Sequence, residues 1–457
     1  MKFIFADSLD MVDPGYDFLR DRNGEARSPY WDDLYPHEIL DQPPYDGILV
    51  SRGIVGGSSV AGKYTTSQAM RFRRVGARKF LRLDSPKFKS FPIFGDCGAF
   101  TYHKEDRPPY TPENTAEFYD EGGFTHGCSV DHIIFDFDEK LTGTKGGSKE
   151  ARRRFDITLE NASAFLKASK RMSKRFTPVG VIQGWSPGSM AEAARRLQKM
   201  GYSYLALGGT VPLKTDQIKA CLRSIRDAIP RKTKLHILGF AKADDIASFK
   251  SFGIASFDTT SPLIRAFKDG KANYYLPSPK GPGLTYYTAI RIPQALENPK
   301  LVRLVKRGIV NQEQMVKLER SALAALRSYD RNEVSLNEAL EKTLSYSTLA
   351  TLGAPLDALP GAKSASDLRG RYYKTLHDRP WKQCACAICR EIGIEVIIFR
   401  ASNRNKRRGI HNLGIYKKVL DGLSKKAAVD ETAPDLFGNS GATKSVSHNT
   451  VLRCESE

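Results

Sequence analysis

Residues 178–209 read PVGVIQGWSPGSMAEAARRLQKMGYSYLALGG, and this segment contains the clearest secondary-structure pattern of the chain. Two short apolar runs that end in glycine flank a segment whose apolar residues recur at helical spacing. The pattern predicts a strand, a helix and a second strand, which is the repeating unit of a parallel sheet. The same alternation continues on both sides, with helices expected at 155–172, 215–228 and 243–252 and strands at 234–239 and 256–261.

Further strands are expected towards the N-terminus, at 3–6, 46–57, 92–96 and 130–138. The fold class is therefore α/β, and both a closed (β/α)8 barrel of the TIM type and an open doubly wound sheet fit the pattern. No Gly-x-Gly-x-x-Gly or P-loop follows the first strand, which argues against a nucleotide-binding open sheet. In either fold the carboxyl ends of the strands carry the chemistry.

The strand signal fades after residue 297, and the chain divides accordingly. Helices dominate the following residues, and the last residues are rich in Ser, Thr, Asn and Gly, which is typical of disorder. We expect an N-terminal extension at 1–46, a catalytic barrel at 47–297, a helical insertion at 298–370, a zinc-binding basic subdomain at 371–424 and a disordered tail at 425–457.

The composition is strongly basic, with 71 Lys and Arg against 51 Asp and Glu and a net charge of +20. Residues 300–418 hold much of this excess, with 23 Lys and Arg against 11 Asp and Glu. Such a charge favours a polyanionic partner. A second basic segment, 71–89, alternates cations with Phe72, Phe80 and Phe88, and predicts either phosphate contact with some stacking or the solvated face of a barrel helix.

Seven cysteines, three of them crowded into six residues, do not form a disulfide framework. The N-terminal apolar run is too short and too acidic for a secretory signal, and no run of about 18 apolar residues could span a membrane. We therefore expect a cytoplasmic protein without membrane contact.

Carboxylates follow several of the expected strands. Asp96 lies in PIFGDCGAFTY (92–102), where small residues around it would present the carboxylate to a substrate; capping of the next segment is the alternative. The run VDHIIFDFD (130–138) ends in Asp136 and Asp138, which the strand period of two places on one face. The strand ends should converge on one site.

A cluster of cysteines near the C-terminus predicts a metal site. Cys384, Cys386 and Cys389 with His411 match a closed tetrahedral zinc site, and three free thiols are the alternative. Because His411 lies in RASNRNKRRGIHNLGIYKK (400–418), the zinc would hold a cationic helix against a phosphate backbone; the zinc region could instead pair two copies of the chain. The cations expected to bind nucleic acid are Arg400, Arg404, Lys406, Arg407, Arg408, Lys417 and Lys418.

Taken in order, these motifs resemble the tRNA-guanine transglycosylase superfamily. The motifs are Asp96 with Gly98 and Phe100, Asp136, Gln183-Gly184, Gly208-Gly209, Asp258 followed by a proline and an arginine, and the Cys-x-Cys-x-x-Cys and His cluster. The opening FADSLDMVDPGYDF and the DCGAF motif look most like the DNA-modifying branch, which places 7-cyano-7-deazaguanine into DNA. The resemblance implies a (β/α)8 barrel with structural Zn²⁺ that exchanges a guanine base.

The resemblance also implies roles for single residues. Asp258 matches the nucleophile that forms a covalent sugar ester, and Asp96 matches the general acid and base. A helix cap is the alternative for Asp258. The base would be bound by Asp136, with Asp138 as the alternative, and by Gln183, Gly208, Gly209 and Phe100. Thr101 and Ala99 depart from the pattern of the tRNA enzymes, which puts contacts at the pocket rim in doubt.

Three functions remain open at this point. The first is replacement of guanine in DNA by a 7-deazaguanine, the second is the same exchange in tRNA, and the third is a non-catalytic zinc-containing subunit that binds nucleic acid. The paired Asp96 and Asp258 argue against the third. A helper protein that opens the duplex and a homodimer are further expectations that the family suggests, and the helical interval before Cys384 is expected to face the nucleic acid.

Overall fold

A computed structural model describes residues 1–56, 62–240, 242–281 and 283–432. Eight parallel strands form a closed barrel in chain order, and pairing of the first strand with the eighth closes it. This confirms the (β/α)8 barrel and excludes the open sheet. The barrel strands are β1 Lys2–Ala6, β2 Gly47–Ser51, β3 Ile93–Asp96, β4 His126–Cys128, β5 Thr177–Ile182, β6 Tyr204–Leu207, β7 Lys234–Ile237 and β8 Ser256–Asp258.

Helices cover the outside of the barrel, as the alternation of strands and helices predicts. The segment 243–252, expected to be an α-helix, is a 3-10 helix instead. Two further 3-10 turns lie at Pro86–Phe88 and Ala99–Thr101. The α-helices up to the end of the barrel are α1 Pro36–Ile39, α2 Arg52–Val55, α3 Thr66–Phe80, α4 Pro112–Glu121, α5 Lys149–Ser169, α6 Pro187–Met200, α7 Thr215–Ala228 and α8 Ser261–Lys268.

The barrel has two apolar layers, because successive strand residues point alternately inwards and outwards. Side chains such as Ile4, Phe94 and Val181 fill the interior. The outward residues form a larger core with the surrounding helices. Gly95 on β3 allows that close contact, since a Cβ there would lie 2.2 Å from the ring of Tyr119 on α4.

The chain after the barrel forms a second hydrophobic core. It holds an antiparallel hairpin, β9 Tyr274–Pro277 and β10 Leu284–Tyr287, and a short parallel pair, β11 Ile290–Arg291 and β12 Ile398–Phe399. Its helices are α9 Pro299–Lys306, α10 Gln312–Asp330, α11 Leu336–Leu352, α12 Lys363–Asp378, α13 Pro380–Gln383, α14 Ala387–Ile392 and α15 Ser402–Thr432, with 3-10 turns at Leu356–Ala358 and Gly393–Ile397.

Helix α15 returns to the barrel. The ring of Tyr416 packs edge-on against Phe3 of β1, with 5.4 Å between ring centroids. Leu413 and Leu420 belong to the same core as the barrel helices. The last helix within the described residues therefore packs on the barrel beside the strand pair that closes it.

All four of the expected domain boundaries are wrong. The barrel does not extend to residue 297, because Tyr274, Tyr287 and Ile290 already belong to the second core. Residues 1–46 are not an extension, because β1 lies within them and pairs with both β2 and β8. Residues 298–370 and 371–424 share one core and are a single unit. The expected tail at 425–457 begins inside α15, which continues to Thr432, and its remainder lies outside the described residues.

The described cysteines are all unpaired, as expected from their number and spacing. Within the ranges that the structure covers, no helix is both long enough and apolar enough to cross a bilayer.

Candidate active site

The carboxyl ends of the eight strands surround a cavity of about 290 Å³. Four carboxylates line it, from Asp7 after β1, Asp96 on β3, Asp131 after β4 and Asp258 on β8. The two aspartates that the sequence singles out as catalytic thus lie in one cavity. A cavity of this size suits a small, flat ligand.

Asp96 has a proton affinity that suits proton transfer at neutral pH. Burial raises its pKa from 3.8 to about 7, and the negative charges of Asp131 and Asp258 add to the effect. Its Oδ2 accepts the backbone N–H of Gly98 at 3.1 Å. Gly98 has a φ of +86°, and a Cβ there would lie 2.6 Å from the backbone nitrogen of Gly53. Glycine is therefore required for the turn that holds Asp96.

Asp258 is buried and held through one of its two oxygens. Its Oδ1 accepts Nε2–H of His236 at 3.0 Å and the backbone N–H of Gly239 at 3.0 Å. Among the described residues, no donor reaches Oδ2, so that oxygen is available to a substrate. Asp258 does not cap helix α8, whose N-cap residue is Thr260, and the capping alternative is wrong.

A chain of hydrogen bonds orients Asp258. The hydroxyl of Tyr204 lies 2.6 Å from Oγ of Ser256, which lies 2.6 Å from Nδ1 of His236. If Tyr204 donates to Ser256 and Ser256 donates to Nδ1, the imidazole carries its proton on Nε2 and donates it to Asp258. His236 received no role from the sequence, although it precedes Asp258 by one strand and points to the same barrel interior.

Asp131 and Gln183 form a hydrogen-bonding pair on the opposite side of the barrel. Nε2 of Gln183 donates to Oδ2 of Asp131 at 2.7 Å, and Sγ of Cys97 donates to Oδ1 at 3.0 Å. Oε1 of Gln183 accepts the backbone N–H of Ile134 at 3.3 Å, which fixes the amide. Burial raises the pKa of Asp131. The pair can accept two N–H groups of one ligand, because each carboxylate oxygen has two lone pairs.

Asp131 therefore occupies the place that the sequence assigned to Asp136 or Asp138, and that expectation is wrong. Neither residue lines the cavity. Asp136 is exposed and accepts the hydroxyl of Ser148 at 2.5 Å. The reason is that β4 ends at Cys128, so the expected strand at 130–138 does not exist and the aspartates after it lie on an outer loop.

Two glycines make room for Gln183. A Cβ at Gly208 would lie 2.4 Å from Nε2 of Gln183, and Gly209 has a φ of +68° with Oε1 of Gln183 at 3.1 Å from its Cβ position. Both glycines are therefore needed for the position of the Gln183 amide. Phe100 also lines the cavity, and its side chain is 52% exposed at the rim.

Asp7 is a cavity carboxylate to which the sequence assigns no role. It is buried, and its Oδ2 accepts the hydroxyl of Tyr64 at 2.8 Å. Burial raises its pKa from 3.8 to about 7. The position of a carboxylate at the end of a first barrel strand is the signal that could have placed it here.

The predicted metal ligands come together. Nδ1 of His411 lies 3.6, 3.3 and 3.3 Å from Sγ of Cys384, Cys386 and Cys389. Ligand atoms of a tetrahedral zinc with bonds of 2.0–2.3 Å are about 3.5 Å apart, so the donor set fits. Nε2 of His411 donates to the carbonyl of Tyr275 at 2.7 Å, which leaves Nδ1 free to bind. The cluster can hold a metal ion.

The expected nucleic-acid contacts of residues 400–418 are mostly wrong. Arg400, Arg404, Arg407 and Arg408 are buried and cannot reach an external phosphate. Their partners lie within the protein, because Arg400 and Arg404 pair with Asp21 and Arg408 donates to the carbonyls of Val396 and Ala266. Lys406 donates to the carbonyl of Met11, Lys417 pairs with Asp46, and Lys418 is exposed.

Comparisons with known proteins agree with this geometry. The family model for queuine tRNA-ribosyltransferase matches residues 129–276. A relative from Salmonella montevideo named DNA-guanine transglycosylase is 42% identical over 430 residues, which cover 93% of this chain and 98% of the relative. The expected resemblance and the expectation of an enzyme are confirmed. The chain belongs to the tRNA-guanine transglycosylase superfamily of pentosyltransferases, in its DNA-modifying branch.

Proposed function

We propose that the protein replaces guanine in DNA with a 7-deazaguanine, 7-cyano-7-deazaguanine, through a covalent aspartyl-sugar intermediate. The observation that carries this proposal is the presence of Asp96 and Asp258 in one cavity, with the Asp131–Gln183 pair beside them. The relative named DNA-guanine transglycosylase supports the choice of DNA.

In the first step, Oδ2 of Asp258 attacks C1′ of the target nucleotide and the bond from C1′ to the guanine nitrogen breaks. The bonding electrons leave with the base, and Asp96 gives its proton to the departing guanine. A pKa of about 7 supports this role, because a large fraction of the Asp96 carboxyl is protonated at neutral pH. His236 and the N–H of Gly239 hold Oδ1 and so aim the other oxygen.

In the second step, the carboxylate of Asp96 takes a proton from the ring nitrogen of the incoming base. That nitrogen attacks C1′, the ester to Asp258 breaks, and Asp258 leaves as a carboxylate. Two inversions at C1′ retain its configuration. Asp96 ends the cycle protonated, as it began.

The base is recognised by its hydrogen-bonding edge. Guanine and 7-cyano-7-deazaguanine share the same N1–H and exocyclic amine, and the Asp131 carboxylate can accept both. The remaining N–H of Gln183 and the backbone N–H of Gly209 suit the base carbonyl, and Phe100 suits the ring face. A target base must leave its stack to reach this cavity.

A zinc ion held by Cys384, Cys386, Cys389 and His411 would be structural, because four protein ligands leave no open position for a reactant. It would join the segment from Cys384 to Cys389 to His411 on α15, and the hydrogen bond of His411 to the carbonyl of Tyr275 links this site to the hairpin. A DNA substrate and the unpaired cysteines support a cytoplasmic location.

The same exchange on tRNA is the second candidate, since the family model that matches residues 129–276 is that of queuine tRNA-ribosyltransferase. The deciding experiment supplies radiolabelled 7-cyano-7-deazaguanine with duplex DNA, premelted DNA or tRNA. We expect label in DNA, and none with Asp258→Asn. Asp136→Asn is the matched control and should keep activity within about twofold, because this exposed carboxylate is outside the cavity.

Label in tRNA alone would overturn the choice of DNA, and label in neither would overturn the exchange reaction. Label in premelted but not in intact duplex would indicate that a helper protein opens the DNA. A protein-linked DNA that survives denaturation with wild type, but not with Asp258→Asn, would support the covalent intermediate.

A further inference from the structure

One long segment beside the active site has no negative charge. Residues 52–83, which follow β2 and include α3, contain no Asp or Glu. Their cations are Arg52, Lys63, Arg71, Arg73, Arg74, Arg78, Lys79 and Arg82. Since the arginines of 400–418 are buried, the positive surface that a DNA substrate needs must be sought elsewhere, and this segment is the strongest candidate.

Part of this charge forms an exposed stripe on α3. Ser67, Met70, Arg71 and Arg74 are three or four residues apart and therefore share one helix face. Met70 is 68% exposed, which is unusual for a large apolar side chain. These residues line a groove of about 830 Å³ together with Arg73 and a single carboxylate, Glu121.

The stripe connects to the active site. Lys63 lines the catalytic cavity. The next residue, Tyr64, donates its hydroxyl to Asp7 in that cavity, and Thr65 then caps α3. Along the helix axis, Thr66 and Arg74 are about 12 Å apart, so the surface from Lys63 to Arg74 can span at least two successive phosphates of one strand.

An exposed aromatic ring lies beside the stripe. Trp31 is 57% exposed, and the guanidinium of Arg71 lies 4.3 Å from its ring centroid. By contrast, Phe72, Phe80 and Phe88 are buried and cannot stack on a base. A cation and an indole held together are a typical platform for an unstacked base next to a charged backbone.

These cations are not neutralised internally. Within the ranges that the structure covers, no carboxylate lies within ion-pair distance of Lys63, Arg71 or Arg74. Arg71 makes a 3.5 Å hydrogen bond to the hydroxyl of Tyr30, and Arg73 donates to the carbonyl of Gly56. Both bonds position a guanidinium without removing its charge.

We propose that Lys63, Arg71, Arg74 and Trp31 form the surface that binds the DNA strand next to the target nucleotide. The cations contact successive phosphates, and Trp31 stacks on a neighbouring base. This inference rests on the proposed function. It replaces the expectation that residues 400–418 bind the nucleic acid. For segment 71–89 it favours phosphate contact by Arg71 and Arg74, without stacking on the buried phenylalanines.

The test measures DNA binding by the full chain at several salt concentrations with an oligonucleotide duplex that contains a premelted target site. The double variant Arg71→Ala/Arg74→Ala should lose two phosphate contacts, which makes the negative slope of log K against log salt shallower by about 1.8. The ratio of variant to wild-type Kd should accordingly fall about tenfold between 50 and 200 mM salt. Trp31→Ala should weaken binding with an unchanged slope, since it removes no charge.

Lys219→Ala/Arg223→Ala is the matched control, because it removes two cations from one face of α7 with similar exposure. It should leave Kd and slope near the wild-type values. The proposed binding surface would be refuted if Arg71→Ala/Arg74→Ala kept the wild-type Kd and slope. It would also be refuted if the α7 control changed both values equally. The incorporation assay separates failure of this binding surface from failure of the proposed function. If the proposed function is wrong, the wild-type protein itself places no label in DNA.

Discussion

Replacement of Asp96 by asparagine should abolish base exchange and yet stabilise the protein at alkaline pH. The carboxyl is half-buried at the end of β3, near the charges of Asp131 and Asp258, and its pKa is raised to about 7. Asparagine has nearly the same shape, can still accept the N–H of Gly98, and has no charge to bury. Function and stability are therefore opposed at this position.

The magnitude follows from proton linkage. The unfolded carboxyl ionises near 3.8 and the folded one near 7, so between these values the unfolded state binds fewer protons and stability falls as pH rises. The fall in stability amounts to roughly 2–3 kcal/mol between pH 5 and pH 8, because the effect ends above the folded pKa. Asp96→Asn avoids this loss, because its side chain does not titrate.

The assay compares thermal unfolding of wild type and Asp96→Asn at pH 5, 6, 7 and 8. The Tm of the variant minus that of wild type should increase by about 2–3 °C from pH 5 to pH 8, because the unfolding entropy of a chain of 457 residues is large. Asp120→Asn on the exposed face of α4 is the control and should give a constant difference. A difference for Asp96→Asn that does not change with pH would refute the claim that the folded site raises this pKa.

Three further changes test the rest of the site. Asp131→Asn should lower kcat/KM for guanine exchange about 10–100-fold, since an amide cannot accept both N–H groups of the base; steady-state kinetics with Asp138→Asn as control would check this. His236→Phe should lower kcat about 10–100-fold with little change in the KM for DNA, because it removes a hydrogen bond that aims Asp258 without touching the base. Cys386→Ala should lower the zinc content, measured by elemental analysis, and should lower the Tm by more than about 5 °C. An unchanged Tm would contradict a structural metal.

The sequence predicts the alternating strands and helices because the evidence for them is local, whereas the choice of a closed barrel came from the family resemblance. Each short apolar run such as 204–209 and the amphipathic helix before it can be recognised within about 30 residues. Closure of the barrel is not local, since it depends on Phe3 meeting Phe257 across the whole domain. For that reason residues 1–46 were misassigned as an extension although the strand at 3–6 was recognised.

The site residues that could be predicted from the sequence are those at the ends of correctly predicted strands. Asp96, Asp258 and Gln183 follow strands that the pattern identifies correctly. Asp131 was missed because the apolar run around it looks like a strand, whereas its residues pack as a buried loop after β4.

The composition gives the number of charged residues but not their positions or partners in the fold. The sequence shows how many arginines lie in 400–418, but it does not show that Arg404 forms ion pairs with Asp21 and Glu395. Asp21 is nearly 400 residues away from Arg404 in the chain. A buried guanidinium satisfied in this way contributes to packing of the N-terminal segment on α15. Conversely, the absence of acids in 52–83 was visible in the sequence, but its link to the cavity through Lys63 required the fold.

Closure of the barrel by β1 and β8 has a consequence for synthesis of the chain. The two strands are separated by about 250 residues, and a ribosome adds about 5–20 residues per second, so β1 waits roughly 10–50 s for its partner. During that interval the nascent sheet has two open edges that can pair with other chains. Production at lower temperature, or with additional chaperone, should therefore increase the yield of folded enzyme more than any change at the catalytic residues.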